Sequence, residues 1–316
     1  VTPPAAGDDP PALRVGFSTP WDFWDLDPGR QRARLARAAD AGLDHVFCAD
    51  HVSFRGGGGA DGMIHMAIMA ASEPRLDVYV GVFLLALRHP LVAARQITSL
   101  AEAAPGRVTI GVGVGGEDRH EFEVCEVDPA TRGARTDVAL ELVRRLLAGE
   151  TVDGDGRFHH FTDARIRPVP SPPVPFVVGG RSDAAIRRAG RLGDGWLATW
   201  CSPRRFAEGV ALAAETAAGV GREGQLTHHG YQTWVGVGSD QRDGRRHVAA
   251  AMERFYRVPF DAFARYTPCG TPTEIADELR PYVEAGATTL NLTPVGAEPE
   301  GDAEAAAAVK EALLTG

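Results

Sequence analysis

The residues able to do chemistry in this chain gather where apolar runs stop. Val177-Val178 gives way to Gly179-Gly180-Arg181-Ser182-Asp183, and Ala184, Ala185, Ile186, Ala189 and Leu192 follow at helical spacing. Two glycines let the backbone turn sharply and come close to a ligand. Ser182 or Asp183 is placed to cap the helix, whose free N–H groups and positive dipole end suit a phosphate. The same residues also make an ordinary strand-to-helix turn, so the rest of the chain has to weigh the two readings. A second run, His45 to Ala49, ends in Asp50-His51. A histidine there, oriented by Asp50 or a backbone group, is a candidate proton donor or acceptor; the plainer reading is a loop histidine bonded to a carbonyl. Gly111 to Gly116 matches the dinucleotide pattern Gly-x-Gly-x-x-Gly, but Glu117-Asp118-Arg119-His120-Glu121 follows. A Rossmann unit opens an apolar helix at that point. A glycine-rich loop that lets the backbone approach a flat ring or its linker fits better. Trp21, Trp24, Phe54, Trp200 and Trp234 fall near strand ends or in the loops beyond them. They are candidates to wall an apolar substrate pocket, or they belong to the core.

These positions make sense only if something brings them to one face. Apolar runs at 13–17, 45–49, 78–85, 108–112, 174–178, 195–199, 230–237 and 288–292 read as strands. Helical spacing falls between them, at 28–41, 61–73, 90–104, 130–148, 183–192, 203–219 and 271–285, and again after the last strand at 302–314. Strands alternating with helices argue for a parallel sheet, and eight of them favour a closed (β/α)8 TIM barrel over an open sheet. The rhythm breaks twice. Residues 150–172 read as a small hairpin at the edge, and 239–270 as a longer connection with helix near 246–255 and 259–265. Residues 1–12, rich in Pro and Ala, read as a flexible N-terminal tail without the features of a signal peptide; 13–316 form a single domain.

Composition narrows the function. A net charge of −9 argues against a nucleic-acid partner held by a basic surface. No apolar run reaches membrane-spanning length, so no membrane association is expected. The cysteines, at 48, 125, 201 and 269, are scattered and contain no Cys-x-x-Cys, which fits a reduced cytoplasmic setting and no zinc knuckle. Without a His-x-His at a strand end, no metal centre is expected. The single lysine, Lys310, excludes a P-loop.

Taken together, these stretches resemble the bacterial-luciferase-like family of flavin- and deazaflavin-dependent enzymes, and within it the branch that uses coenzyme F420. The resemblance rests on His45 to Val52, Val80 to Ser99 with Leu87-Arg88-His89-Pro90, Arg107 to Gly116, Phe176 to Trp196, and Gly270 to Asn291. It implies a luciferase-like barrel with insertions after strands four and seven, a small-molecule substrate and a homodimer. By this match Asp50 contacts the deazaflavin and His51 lies near its hydride-bearing carbon. A bulge in strand three, often with a non-prolyl cis peptide, supports the ring, and Phe83-Leu84 falls there. Gly113, Val114 and Gly115 line the ring edge or tail, and Val178, Gly179, Gly180, Arg181 and Ser182 hold the phosphate. Glu117 matches a catalytic glutamate of some relatives, one glycine further along. Arg55, Arg119 and Arg181 are candidates to line an exit for the acidic tail. The lysines that bind phosphate in sugar-phosphate relatives have no counterpart. The implied activity is F420-dependent hydride transfer; the alternatives are an FMN-dependent monooxygenase and a barrel that binds a deazaflavin without catalysis.

Overall fold

Alternation along short buried strands sets the architecture. The computed structural model describes residues 12–19, 21–115, 118–154 and 156–315. Eight strands close into a parallel barrel: β1 (Arg14–Ser18), β2 (His45–Cys48), β5 (Asp77–Phe83), β6 (Val108–Val112), β7 (Phe176–Gly179), β8 (Gly195–Thr199), β9 (Gly230–Val237) and β11 (Thr289–Val295). The barrel closes through β8 to β9, Leu197 opposite Gly230, and through β9 to β11 to β1. Of the remaining strands, β3 (His51–Phe54) and β4 (Gly58–Ala60) form a separate hairpin, and β10 (Cys269–Gly270) adds to the edge of β9. The eight barrel strands are the eight expected runs, with ends shifted by a few residues.

Ten helices surround the barrel among the described residues: α1 (Pro28–Asp40), α2 (Gly62–Ser72), α3 (Pro90–Ala103), α4 (Arg119–Val124), α5 (Arg132–Leu147), α6 (Asp183–Leu192), α7 (Pro203–Ala218), α8 (Gln241–Tyr256), α9 (Pro272–Glu284) and α10 (Asp302–Thr315). Their starts follow the sequence closely. Asp27, Asp61, Ser182 and Ser202 each cap with a side-chain oxygen, and Thr271 with Glu274 forms a full capping box. Phe176, Val178, Trp196 and Ala198 turn outward into the helix-covered core, while Phe47, Tyr79, Val177 and Leu197 fill the barrel interior.

The interior also holds a polar ladder. His45 Nε2 lies 2.7 Å from Asn291 Oδ1, Asn291 Nδ2 donates to Gln232 Oε1 at 3.2 Å, and Gln232 Nε2 donates to the Gly81 carbonyl at 3.3 Å. Gly16 leaves room for the imidazole, since a Cβ there would sit 2.3 Å from the His45 ring. Burial pushes the His45 imidazole down to about 4 in spite of the Asn291 contact.

Both expected irregular regions are present. Among the described residues of 152–164 the chain doubles back through a bridge, Val152 to Ala164, without regular strands. Residues 239–270 hold α8 and two 3-10 turns. Thr233 Oγ1 on β9 donates to the Tyr266 carbonyl at 3.0 Å, which fastens this insertion to the barrel as a wall, and Phe260 N donates to Glu253 at 2.9 Å within it. The expected tail lies almost wholly outside the described residues.

Candidate active site

The carboxyl ends of the barrel strands open into three adjoining cavities that share His51, Trp234, Phe255 and Thr293. The innermost, about 230 Å³, lies between Gly81-Val82 on β5, Gly113 to Gly115 after β6, and Gly179-Gly180 after β7. Its floor depends on missing side chains. A Cβ on Gly113 would come within 2.2 Å of Val82 Cγ2, and one on Gly179 within 2.7 Å of Val82 Cγ1. Glycine at both positions lets Val82 sit at the centre of a flat floor. The register of β5 slips between Val80 and Phe83, and the Gly81–Val82 peptide is cis.

Past this floor the backbone turns at Gly180, whose φ of 139° suits glycine. Its carbonyl accepts the Trp196 indole N–H at 2.7 Å, and Ser182 Oγ accepts the Ala185 amide at 3.3 Å. The N-terminus of α6 therefore abuts the glycine turn, with Arg181 5.4 Å above the Trp200 ring. Asp183 is held by Arg205, which withdraws its charge from the turn.

On the opposite wall His51 is stacked on Phe54 at 4.2 Å. Its Nδ1 lies 3.1 Å from Glu121 Oε2, and Glu121 Oε1 accepts the Val52 and Ser53 amides at 2.7 and 3.2 Å. Glu121 is 2% exposed. Burial opposes its charge, but the His51 hydrogen bond and charge and the two amides outweigh that and hold its carboxyl below the ordinary glutamate value. The pair is built to keep one imidazole nitrogen engaged and present the other edge to the cavity.

A family model described as luciferase-like monooxygenase matches residues 13–268. The chain belongs to that family of enzymes. One similar protein is the F420-dependent glucose-6-phosphate dehydrogenase of Beutenbergia cavernae, 36% identical over 221 residues. That match covers 65% of each chain, so the present chain spans just under two thirds of this relative's length. The protein of the same name from Kineococcus radiotolerans is 26% identical over 88% of this chain and 90% of its own. Among solved structures, an F420-dependent secondary alcohol dehydrogenase in complex with an F420-acetone adduct superposes with a TM-score of 0.82 at 18% identity, covering 96% of this chain and 99% of that one. The monooxygenase RslO1 of Streptomyces bottropensis gives 0.78 at 22%, with coverage of 96% and 99%. Both establish the luciferase-like barrel.

Within this luciferase-like barrel the expected site residues divide. His51, Leu84, Gly113, Val114, Gly115, Gly179, Gly180, Trp200 and Trp234 line the innermost cavity. Phe54 lines the outermost, and Trp24, stacked 3.4 Å from His65, the middle one. Asp50 reaches the inner wall, but both its oxygens are engaged. Oδ1 accepts from Gly62 N at 2.9 Å and Arg88 at 2.7 Å, and Oδ2 from Leu84 N at 2.8 Å. Phe83 does not reach the cavity. It is fully buried under Arg88, because the slip in β5 comes before it and turns Val82 to the floor instead. Val178 likewise faces the helices. Arg181 and Ser182 flank the turn outside the cavity lining. Glu117 and the Trp21 side chain lie outside the described residues.

Sequence reasoning passed over Glu121, Val82, Gln232, Phe255 and Tyr256. For Glu121 there was a faint signal: Asp118 caps α4, and Phe122 is its one aromatic residue and fully buried, so the neighbouring Glu121 is carried inward with it.

Proposed function

We propose that this chain is an F420-dependent oxidoreductase that transfers a hydride between the deazaflavin and a small organic substrate. The observation that carries the reading is the placement of the His51–Glu121 pair at the edge of the glycine-floored slot. Matches to dehydrogenases named as F420-dependent support it. The residues present fit the cofactor. A planar ring would rest on Val82 between Gly113 and Gly179, and the Gly179-Gly180 turn before α6 would hold the cofactor's phosphate. When bound, the cofactor supplies hydride chemistry.

The protein's part is placement and proton handling. Gly81, Gly113 and Gly179 keep the floor free of side chains other than that of Val82, and Trp200, Trp234, Phe255 and Tyr256 line the slot and limit water in it. His51 holds or receives the proton that the substrate hydroxyl loses or gains as its carbon is oxidised or reduced. Glu121 fixes the ring orientation of His51 and balances the charge that forms on it. The larger cavities beside His51 leave room for a substrate, which favours catalysis over simple cofactor storage.

The test is equilibrium binding of F420 and of FMN to the purified protein, followed by fluorescence. Tight F420 binding with weak FMN binding is expected. Tight FMN binding alone transfers the reading to an oxygen-using monooxygenase, and binding of neither removes the phosphate role of Gly179-Gly180.

A further inference from the structure

The outermost cavity is lined by three arginines that make no close ion pair among the described residues. It holds about 590 Å³, and Arg55, Arg254 and Arg257 line it together with Phe54, Trp234 and Phe255. Earlier on α8, Arg245 is paired with Asp261 at 3.0 Å and Arg246 with Asp243. Among the described residues no carboxylate lies within ion-pair distance of the three that line the cavity. Arg55 donates to the Tyr256 carbonyl, but its Nε is buried with no partner. Two carboxylates share the wall, Asp25, which is exposed, and Asp302, which accepts the Gly296 amide at 3.1 Å, and Asp118 accepts the Arg55 backbone amide at 2.6 Å without pairing with its guanidinium.

A guanidinium presents a planar fork of donors that matches a carboxylate or phosphate and binds it more strongly than a neutral group. Phe54, Trp234, Phe255, Pro294 and Val295 give the rest of the wall a large apolar face beside Ser18, Thr19 and Thr293, which suits an apolar body better than a polyol. We propose that this cavity selects an anionic, amphipathic substrate. Its carboxylate or phosphate sits on Arg55, Arg254 and Arg257, its apolar body lies against Phe54, Trp234 and Phe255, and its reacting group faces His51. This rests on the oxidoreductase reading above and adds the substrate class. An anion here has two sources, the substrate and the acidic tail of the cofactor. The topology favours the substrate. The part of its lining borne on barrel strands is Ser18 on β1, Trp234 on β9 and Thr293 to Val295 on β11, and none of it comes from β7, which bears the phosphate turn.

The experiment compares 4-phenylbutyrate, 4-phenylbutanol and glucose 6-phosphate by calorimetry at low salt. It uses the full chain, its Arg254→Gln/Arg257→Gln double variant and Arg254→Lys, with F420 affinity measured on each. The acid is expected to bind roughly tenfold or more tightly than the alcohol. The double variant should lose that preference without losing affinity for the alcohol or for F420, and Arg254→Lys should keep most of it. Equal binding of acid and alcohol, binding of neither, or a preference that survives in the double variant overturns the proposal. Weakened F420 binding in the double variant assigns the arginines to the cofactor tail and also overturns it. Tighter binding of glucose 6-phosphate than of the acid overturns the apolar body. An acid preference in a wild-type protein that does not bind F420 supports the anion site while defeating the cofactor reading.

Discussion

At the scale of single residues, the centre of the proposed chemistry is one histidine and the carboxylate that holds it. His51→Ala removes the proton carrier and is expected to lower turnover on the order of 10²-fold or more. Cofactor affinity should stay nearly unchanged, because the floor is made by Val82 and glycines. Glu121→Gln is the more discriminating change. A glutamine retains an oxygen for the Val52 and Ser53 amides, so the hairpin stays anchored, but it loses the charge beside the imidazole. Steady-state kinetics should show kcat falling roughly 10-fold or more with KM little changed, as expected when an interaction is stronger in the transition state. A rise in KM with kcat unchanged would make Glu121 an anchor for the loop alone.

At the scale of elements, three strand ends meet at Val82, and their packing gives the next expectation. Gly113→Ala places a Cβ 2.2 Å from Val82 Cγ2. Valine has little χ1 freedom with which to yield, so the floor has to rise or buckle. Cofactor binding should weaken roughly tenfold or more, since even a small displacement disturbs an oriented site. Adding Val82→Ala should restore a substantial part of it, a coupling read by a double-mutant cycle. Additive losses would show that Val82 is not the contact that matters. The strands that build this floor were legible in the sequence because each is a short apolar run, two of them running into glycine, and the helix starts because Asp27, Asp61, Ser182 and Thr271 are local signals. Other elements left no such mark. The β3–β4 hairpin pairs only with itself and turns through glycines of positive φ, at Gly56 and Gly57, so it shows no buried alternation. Helix α4 has six residues and one large buried apolar side chain. The site divides in the same way. His51 and the glycine turn are local patterns, but the partner of His51 comes from 70 residues along the chain, and only the closed barrel brings it there.

At the scale of the whole molecule, closing the barrel buries titratable groups that have no charge partner, and this sets how the fold responds to acid. His45 is 3% exposed inside the barrel and His229 is 6% exposed at the β8–β9 junction; burial lowers each imidazole to about 4. An unfolded histidine titrates near 6.5. Between those values the unfolded chain binds protons that the folded one refuses, so stability must fall as pH falls from about 6.5 toward 4. Glu121 acts in the same direction at the lower end. Its depressed carboxyl adds stability that is present above the unfolded glutamate value and is lost as pH falls through its own. For His45 alone the loss amounts to roughly 3 kcal/mol when complete. Urea unfolding at pH 7, 6 and 5 measures it. His45→Gln keeps a donor for Asn291 but does not titrate, so the variant should start less stable at pH 7 and lose less on the way to pH 5. Parallel losses in both proteins would mean that His45 takes up its proton in the folded barrel over the same pH range as in the unfolded chain, so that the ladder from His45 to the Gly81 carbonyl becomes charged at its base as pH falls.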